Sequence, residues 1–233
     1  MSTPERRAEL TQRLAAVRAR IDAAMEAAGR TDPVTLVAVT KFFPASDVDL
    51  LAELGVTDIG ENRDQEASAK VAELAHRDRV TVHFIGQLQS NKAGSVARYA
   101  DVVHSLDRAK IARALDRAAQ REGRVLDVLV QVGLDAAGGR GGVAPEAVRD
   151  LADVVGGLEH VRLRGLMAVA PLGEPARPAF ARLRGLAETV RADHPAATWL
   201  SAGMSGDLED AVAEGATHLR VGSAILGSRE SHR

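Results

Sequence analysis

The chain has 233 residues, 45% of them hydrophobic, which suits one large domain with a sizeable buried core. Lys plus Arg number 30 against 32 Asp plus Glu, and a formal charge of −2 offers no electrostatic footprint for nucleic acid or an anionic membrane. The absence of Cys excludes disulfides, thiolate nucleophiles and thiolate metal sites, and 3% aromatic residues leave no stacking platform for single-stranded nucleic acid. No apolar signal segment follows the polar start, and no apolar run approaches the ~20 residues that span a bilayer, so a cytoplasmic protein is expected.

Thr3 reads as the cap of a first helix, with Pro4 in the first turn, where a missing N–H costs nothing. Leu10, Leu14, Val17, Ile21 and Met25 recur at steps of three and four, one apolar face for packing, and Gly29 is a stop. The rhythm then changes to short apolar strands, expected at 34–40, 57–60, 80–86, 102–105, 126–133, 161–169, 198–201 and 218–221. Between them lie helical stretches at 46–54, 62–74, about 91–99, 107–122, 145–155, 178–192 and 207–213, with a short helical turn after Gly222. Strands alternating with helices imply a parallel sheet covered on both faces. Eight repeats in this length predict an α/β, single-domain (β/α)8 TIM barrel over residues 1–233 with an extra N-terminal helix. An open doubly wound sheet is the rival architecture.

In such a barrel the ligand site lies at the C-terminal ends of the strands, with phosphate often bound after the seventh and eighth. Those ends read Thr40-Lys41, Glu61-Asn62, Ile85-Gly86 and Leu166-Met167, then Ser201 through Met204, Ser205 and Asp207, and last Arg220-Val221-Gly222-Ser223. The last two are glycine- and serine-rich turns that enter helices, where free N–H groups favour an anion. Lys41 is the unusual residue, because a charge at the end of an apolar strand is expensive to bury, and desolvation frees such an amine to attack a carbonyl. Two readings stay open from spacing: a Schiff-base lysine facing a phosphorylated aldehyde, or a barrel-mouth lysine paired with Glu61 or Asp207.

The segments VAVTK, DIGEN, HFIGQLQSNK, GLMAVAP, LSAGMSGDLEDAV and RVGSAILG, in that order from Val37 to Gly227, resemble the pyridoxal phosphate homeostasis proteins. That family, also described as PROSC-like or proline synthase co-transcribed, shares its fold with the N-terminal barrel of alanine racemase. The resemblance implies a pyridoxal 5′-phosphate cofactor held as an imine on Lys41, with Asn62 and Met204 beside it. It implies that Ser205, with Gly222 and Ser223, holds the phosphate and that Arg220 faces the pyridine nitrogen. It further implies a role in cofactor homeostasis, with apo forms of pyridoxal phosphate enzymes as partners and neither nucleic acid nor membrane among them.

Two departures from the family pattern stand out. Gly133, Asp135 and Arg140 occupy positions where Asn, Ser and Lys are common, so a second aldehyde-reactive lysine in this loop is in doubt; and Val82 replaces a common Trp. The expected role is a carrier or buffer without robust turnover, for two reasons. A charged Arg220 at the pyridine nitrogen disfavours ring protonation. The second acid/base Tyr of alanine racemase comes from a domain absent here, and Tyr99 ends a helix at the opposite face of the barrel. A small pyridoxal phosphate-dependent racemase is the alternative. A metal-dependent hydrolase built on His83, His104 and His218 is a third reading, but these are better placed to pair with backbone or carboxylates inside the barrel. The glycine-rich stretch 138–142 lacks the Lys-Ser/Thr of a phosphate loop and reads as a surface loop.

Overall fold

The structure, a computed structural model, describes residues 3–135 and 141–227. Eight strands are hydrogen-bonded in chain order and the eighth pairs with the first, closing a parallel barrel. They are β1 (Thr35–Val39), β2 (Asp58–Glu61), β3 (Thr81–Phe84), β4 (Val102–Leu106), β5 (Leu126–Gln131), β6 (Val161–Met167), β7 (Trp199–Ser201) and β8 (His218–Val221). The first helix, α1 (Thr3–Ala27), precedes the barrel. The others are α2 (Ala45–Glu53), α3 (Asp64–Glu73), α4 (Ala93–Tyr99), α5 (Ala109–Arg121), α6 (Val148–Gly156), α7 (Ala176–Asp193), α8 (Leu208–Ala213) and α9 (Ser223–Leu226). The expected barrel with its extra helix is therefore what the chain forms. The expected strands 126–133 and 161–169 end two residues earlier, at Gln131 and Met167.

Two hydrophobic clusters follow from the period-2 alternation of the strands. The larger one lies between the barrel wall and the helices, and alanines such as Ala112, Ala118 and Ala119 let α5 approach closely. The smaller one, Val102, Leu129 and Met167 with Val169 and Trp199, fills one side of the barrel interior. Gly203 follows β7 at φ +88°, a conformation that favours glycine. A Cβ there would stand 2.6 Å from the Ala211 methyl and 2.9 Å from Leu219, so glycine also lets β8 and α8 close together.

Helix α1 buries Leu10, Leu14, Val17 and Ile21 against α8 and α9, with Met25 partly buried at the end of the stripe. Helices α8 and α9 have only six and four residues, and α1 covers the flank they leave open. Thr3 is itself helical, not the cap expected from the sequence. Among the described residues no helix is long and apolar enough to cross a membrane.

One ion pair locks α1 in place and was not legible in the chain. Arg6 donates from NH2 to Asp47 Oδ2 at 2.6 Å and to the Leu226 carbonyl at 3.2 Å, joining α1, α2 and α9 while both charged side chains are buried. Removing one partner leaves the other charge buried without its counter-ion. Arg6→Ala is expected to destabilise the protein by ~3–5 kcal/mol. Urea unfolding monitored by circular dichroism checks this; a loss within the few tenths typical of surface pairs would contradict it.

Candidate functional site

The alternation that builds the interior also aims the site residues. A Cβ on Gly60 would meet the Val37, Val39 and Ile85 side chains at 3.2–3.3 Å, so these positions share the inner face of the barrel. Register pairs Val37 with both Asp58 and Arg220, and Val39 with Gly60. Two residues further on, Lys41 and Asn62 leave β1 and β2 on that same face. Arg220 and Gly222 do so on β8, whereas Thr40 and Glu61 belong to the outer face.

Lys41 is half-buried, its Nζ 5.8 Å from the centroid of the Phe42 ring, and the Arg63 guanidinium lies 5.4 Å from the same ring. Phe42 has φ 72°, the one positive value at a non-glycine residue among those described. This conformation is unfavourable for a bulky side chain, and here it turns the chain immediately after Lys41. Nothing in the local sequence signals it.

The two carboxylates considered as partners for Lys41 are engaged elsewhere. Glu61 Oε1 accepts hydrogen bonds from Lys70 Nζ and Thr40 Oγ1, both at 2.6 Å, and Lys70 also donates to the Thr40 carbonyl at 2.7 Å. Asp207 Oδ1 accepts the Met204 N–H at 2.6 Å, which shapes the turn after β7. Among the described residues no carboxylate lies within salt-bridge distance of Lys41, so the ion-paired reading of this lysine gives way to an unpaired amine at the barrel mouth.

Tyr99 requires a correction of position. It ends α4 as expected, but its hydroxyl reaches the field of Asp64, at the start of α3, and of Glu61, at the end of β2. Burial first, and those carboxylates second, push its pKa up. Since Glu61 faces outward to Lys70, the barrel wall stands between this phenol and Lys41.

After β7 and β8 the two turns meet. Ser205 Oγ accepts from Ser223 Oγ at 3.3 Å and from the Ala224 N–H at 3.4 Å, so two hydroxyls and a helix-terminal N–H converge. Arg20 of α1 donates through NH1 and NH2 to the Ser205 carbonyl at 3.1 Å and through Nε to Glu209 at 2.8 Å, which holds the turn from outside. Met204 is 37% exposed at the rim. Gly86 lets the end of β3 pass so close to the Asn62 carbonyl that any Cβ would overlap it, which fixes Asn62 at the mouth. Gly133 and Asp135 line a cavity of about 200 Å³ with Gln131 and Val169, and Arg140 lies outside the described residues, as does most of the 138–142 stretch.

Arg220 is buried inside the barrel, donating to Ser201 Oγ at 2.5 Å and to the Ala168 carbonyl at 2.8 Å. Burial pulls its pKa down to about 10, with Asp207 opposing, so it keeps its charge at neutral pH. His83, His104 and His218 lie within 6.3 Å of one another as ring centroids, and the Trp199 ring lies tilted against His218 at 4.4 Å. His83 and His104 spend both ring nitrogens on Asp58, Ser201 and each other. The sequence expected these histidines inside the barrel and paired with backbone or carboxylate groups; His83 does meet the Asp58 carboxylate, whereas His104 meets the Ser201 hydroxyl and His83.

Residues 12–230 match the family of the alanine racemase N-terminal domain. The pyridoxal phosphate homeostasis protein of Mycobacterium tuberculosis is 47% identical over 245 residues, covering 97% of this chain and 95% of its own length. This chain belongs to the pyridoxal phosphate homeostasis protein family. The Corynebacterium glutamicum member is 44% identical over 91% of this chain and 99% of its own. PipY of Synechococcus elongatus, solved with pyridoxal phosphate bound, superposes with a TM-score of 0.82 at 38% identity, covering 94% of this chain and 100% of PipY. An alanine racemase from Corynebacterium glutamicum, at 15% identity and a TM-score of 0.68 over 91% of this chain and 60% of its own, shares the fold.

The buried histidines make stability depend on pH. His218 is held down at about 4, from an ordinary 6.5, by burial first, with the neighbouring His83 second. Below pH 6.5 the unfolded chain takes up a proton that the folded chain refuses, so stability falls with falling pH until about pH 4 and then levels off for this group. The loss from His218 alone is roughly 3 kcal/mol across that window. Urea midpoints measured between pH 7 and 4 should drop, and His218→Gln should flatten the drop by a comparable amount. An equal slope in both proteins would contradict the assignment.

Proposed function

We propose that this chain binds pyridoxal phosphate and serves its homeostasis in the cytoplasm as a carrier or buffer, without robust turnover, passing cofactor to apo enzymes that need it. The observation that carries the reading is that an unpaired Lys41, a cluster of donors at Ser205, Ser223 and Ala224, and a buried Arg220 stand at the ends of adjoining strands β1, β7 and β8. The donor set suits the group. Two hydroxyls and an N–H offer protons to the acceptor oxygens of a phosphate, and no carboxylate joins that cluster among the described residues. Lys41 would hold the aldehyde as a Schiff base, Gly222 and Ser223 would support the phosphate with Ser205, and Asn62 and Met204 would flank the ring.

When bound, pyridoxal phosphate supplies a ring that withdraws electrons once its nitrogen is protonated. Arg220 would face that nitrogen as a cation and oppose its protonation by like charge. Tyr99, the single tyrosine, is walled off from Lys41, so it is in no position to move a proton at the ligand. Both features favour holding the cofactor over transforming amino acids with it.

Borohydride reduction of the loaded protein followed by peptide mass spectrometry should place the adduct on Lys41. Lys41→Ala should abolish both the adduct and the visible absorption. An adduct found mainly on Lys70, Lys92 or Lys110 would overturn the assignment. Replacing Ser205 and Ser223 together by Ala is expected to weaken pyridoxal phosphate far more than pyridoxal, each lost charge-assisted bond costing ~1.5–3 kcal/mol. Titrations of both aldehydes by absorbance decide this, and equal losses would show that the serines do not read the phosphate.

A further inference from the structure

We propose that Asp58, His83, His104 and Ser201 form a one-way chain of hydrogen bonds through the barrel that positions Arg220, which makes all four positioning residues for its contact with the bound ring. This rests on the reading above in which Arg220 faces the pyridine nitrogen.

The direction of the chain follows from counting protons. A guanidinium only donates, so Ser201 Oγ accepts from Arg220 NH1 at 2.5 Å. Ser201 is fully buried and has one proton of its own, and the remaining partner of its hydroxyl among the described residues is His104 Nδ1 at 2.9 Å. Nδ1 of His104 is therefore an acceptor and the ring proton sits on Nε2, 2.7 Å from His83 Nδ1. His83 must accept there, so its proton sits on Nε2 and is donated to Asp58 Oδ1 at 2.8 Å. Asp58 closes the chain, its other oxygen accepting the Thr57 hydroxyl at 2.6 Å.

The reverse direction fails at Ser201. His104 would then donate to Oγ beside the Arg220 donor, and the serine proton would have no acceptor in a site closed to water. The surrounding charges agree with the forward direction. His104 is held well below its ordinary pKa by burial first, then by the facing His83, Arg220 and His218. Burial alone would raise the Asp58 carboxyl, but the hydrogen bonds from His83 and Thr57 oppose it and the carboxyl is held below its ordinary value, so the chain ends on an anion. The other charges facing the network are Arg164, toward His218, and Asp207, toward Arg220.

Two consequences follow. Every bond is polarised in one sense, from a cation near the cofactor end of β8 to a carboxylate at the opposite end of β2, and such chains strengthen their members. With NH1 committed to Ser201 and NH2 to the Ala168 carbonyl, the guanidinium is also fixed in plane and cannot swing away from the ring.

Long-range 1H–15N spectra of the histidine rings test the chain in cofactor-free protein, whether or not Arg220 meets the ring. His83 and His104 should both be neutral with the proton on Nε2 at pH 7, and Asp58→Asn should move the ring resonances of His104 as well as those of His83. A proton on Nδ1 of either ring, a cationic ring, or a His104 blind to Asp58→Asn would overturn the chain.

In protein loaded with pyridoxal phosphate, Asp58→Asn and Ser201→Ala should each shift the visible band or its pH midpoint, and Ser201→Thr, which keeps the hydroxyl, should restore the parent spectrum. The double variant should shift no further than Ser201→Ala alone, because the chain is already broken. Additive shifts would mean independent through-space fields and would overturn the proposal, as would unshifted spectra in both single variants. Should Ser201→Ala not fold, the near-isosteric Asp58→Asn still decides by its own band. A parent protein with no visible band or Lys41 adduct would instead overturn the cofactor reading and leave the histidine spectra to judge the chain.

Discussion

A guanidinium buried in a barrel interior needs an acceptor for its donors and compensation for its charge, and much of this molecule is arranged around that requirement. Arg220 has no carboxylate in hydrogen-bonding contact among the described residues; it is served by Ser201 and the Ala168 carbonyl. Desolvation of an unpartnered cation would cost several kcal/mol, so the groups behind Ser201 matter as much as Ser201 itself. The interior is divided accordingly, with His83, His104, His218 and Asp58 beside the apolar cluster of Val102, Leu129 and Met167. Filling the barrel with polar groups on one side costs hydrophobic burial but gives the mouth a cation that is fixed in place.

The extra N-terminal helix belongs to the same economy of support. Arg20 grips the Ser205 carbonyl and Arg6 grips the Leu226 carbonyl, so α1 holds the turn after β7 and the helix after β8 from outside. Those two segments carry the converging hydroxyls and the N–H of Ala224. A barrel whose last helices are only six and four residues long needs such a brace, since short helices are marginal on their own.

At the mouth of this barrel Lys41 stands clear of carboxylates among the described residues. Phe42 takes up backbone strain to turn the chain immediately after Lys41, and both Lys41 and Arg63 lie within 5.8 Å of its ring centroid. Glu61 and Lys70, which could have competed for Lys41 or imitated it, neutralise one another in the outer layer. The wall thus separates a buried polar layer that holds the helices from an inner face left free for a ligand.

Local pattern determined a great deal. Short apolar runs alternating with helical stretches specified eight strands, the stripe from Leu10 to Met25 specified α1, and the lysine just beyond β1 with the serine- and glycine-rich turns after β7 and β8 marked the candidate site. These signals are short-range, each contained in one element, and a family resemblance carried by ordered segments reinforced them. Partner choice was decided only by closure and register. His104 and Ser201 are 97 residues apart, Arg6 and Asp47 are 41 apart, and their meeting depends on which residues of each strand face inward and which helices lie against the seam. The same holds for Glu61, whose choice of Lys70 over Lys41 reflects the outward parity of its strand position. The positive φ of Phe42 is a tertiary decision as well, because its intrinsic preference opposes that conformation and only the surrounding turn enforces it.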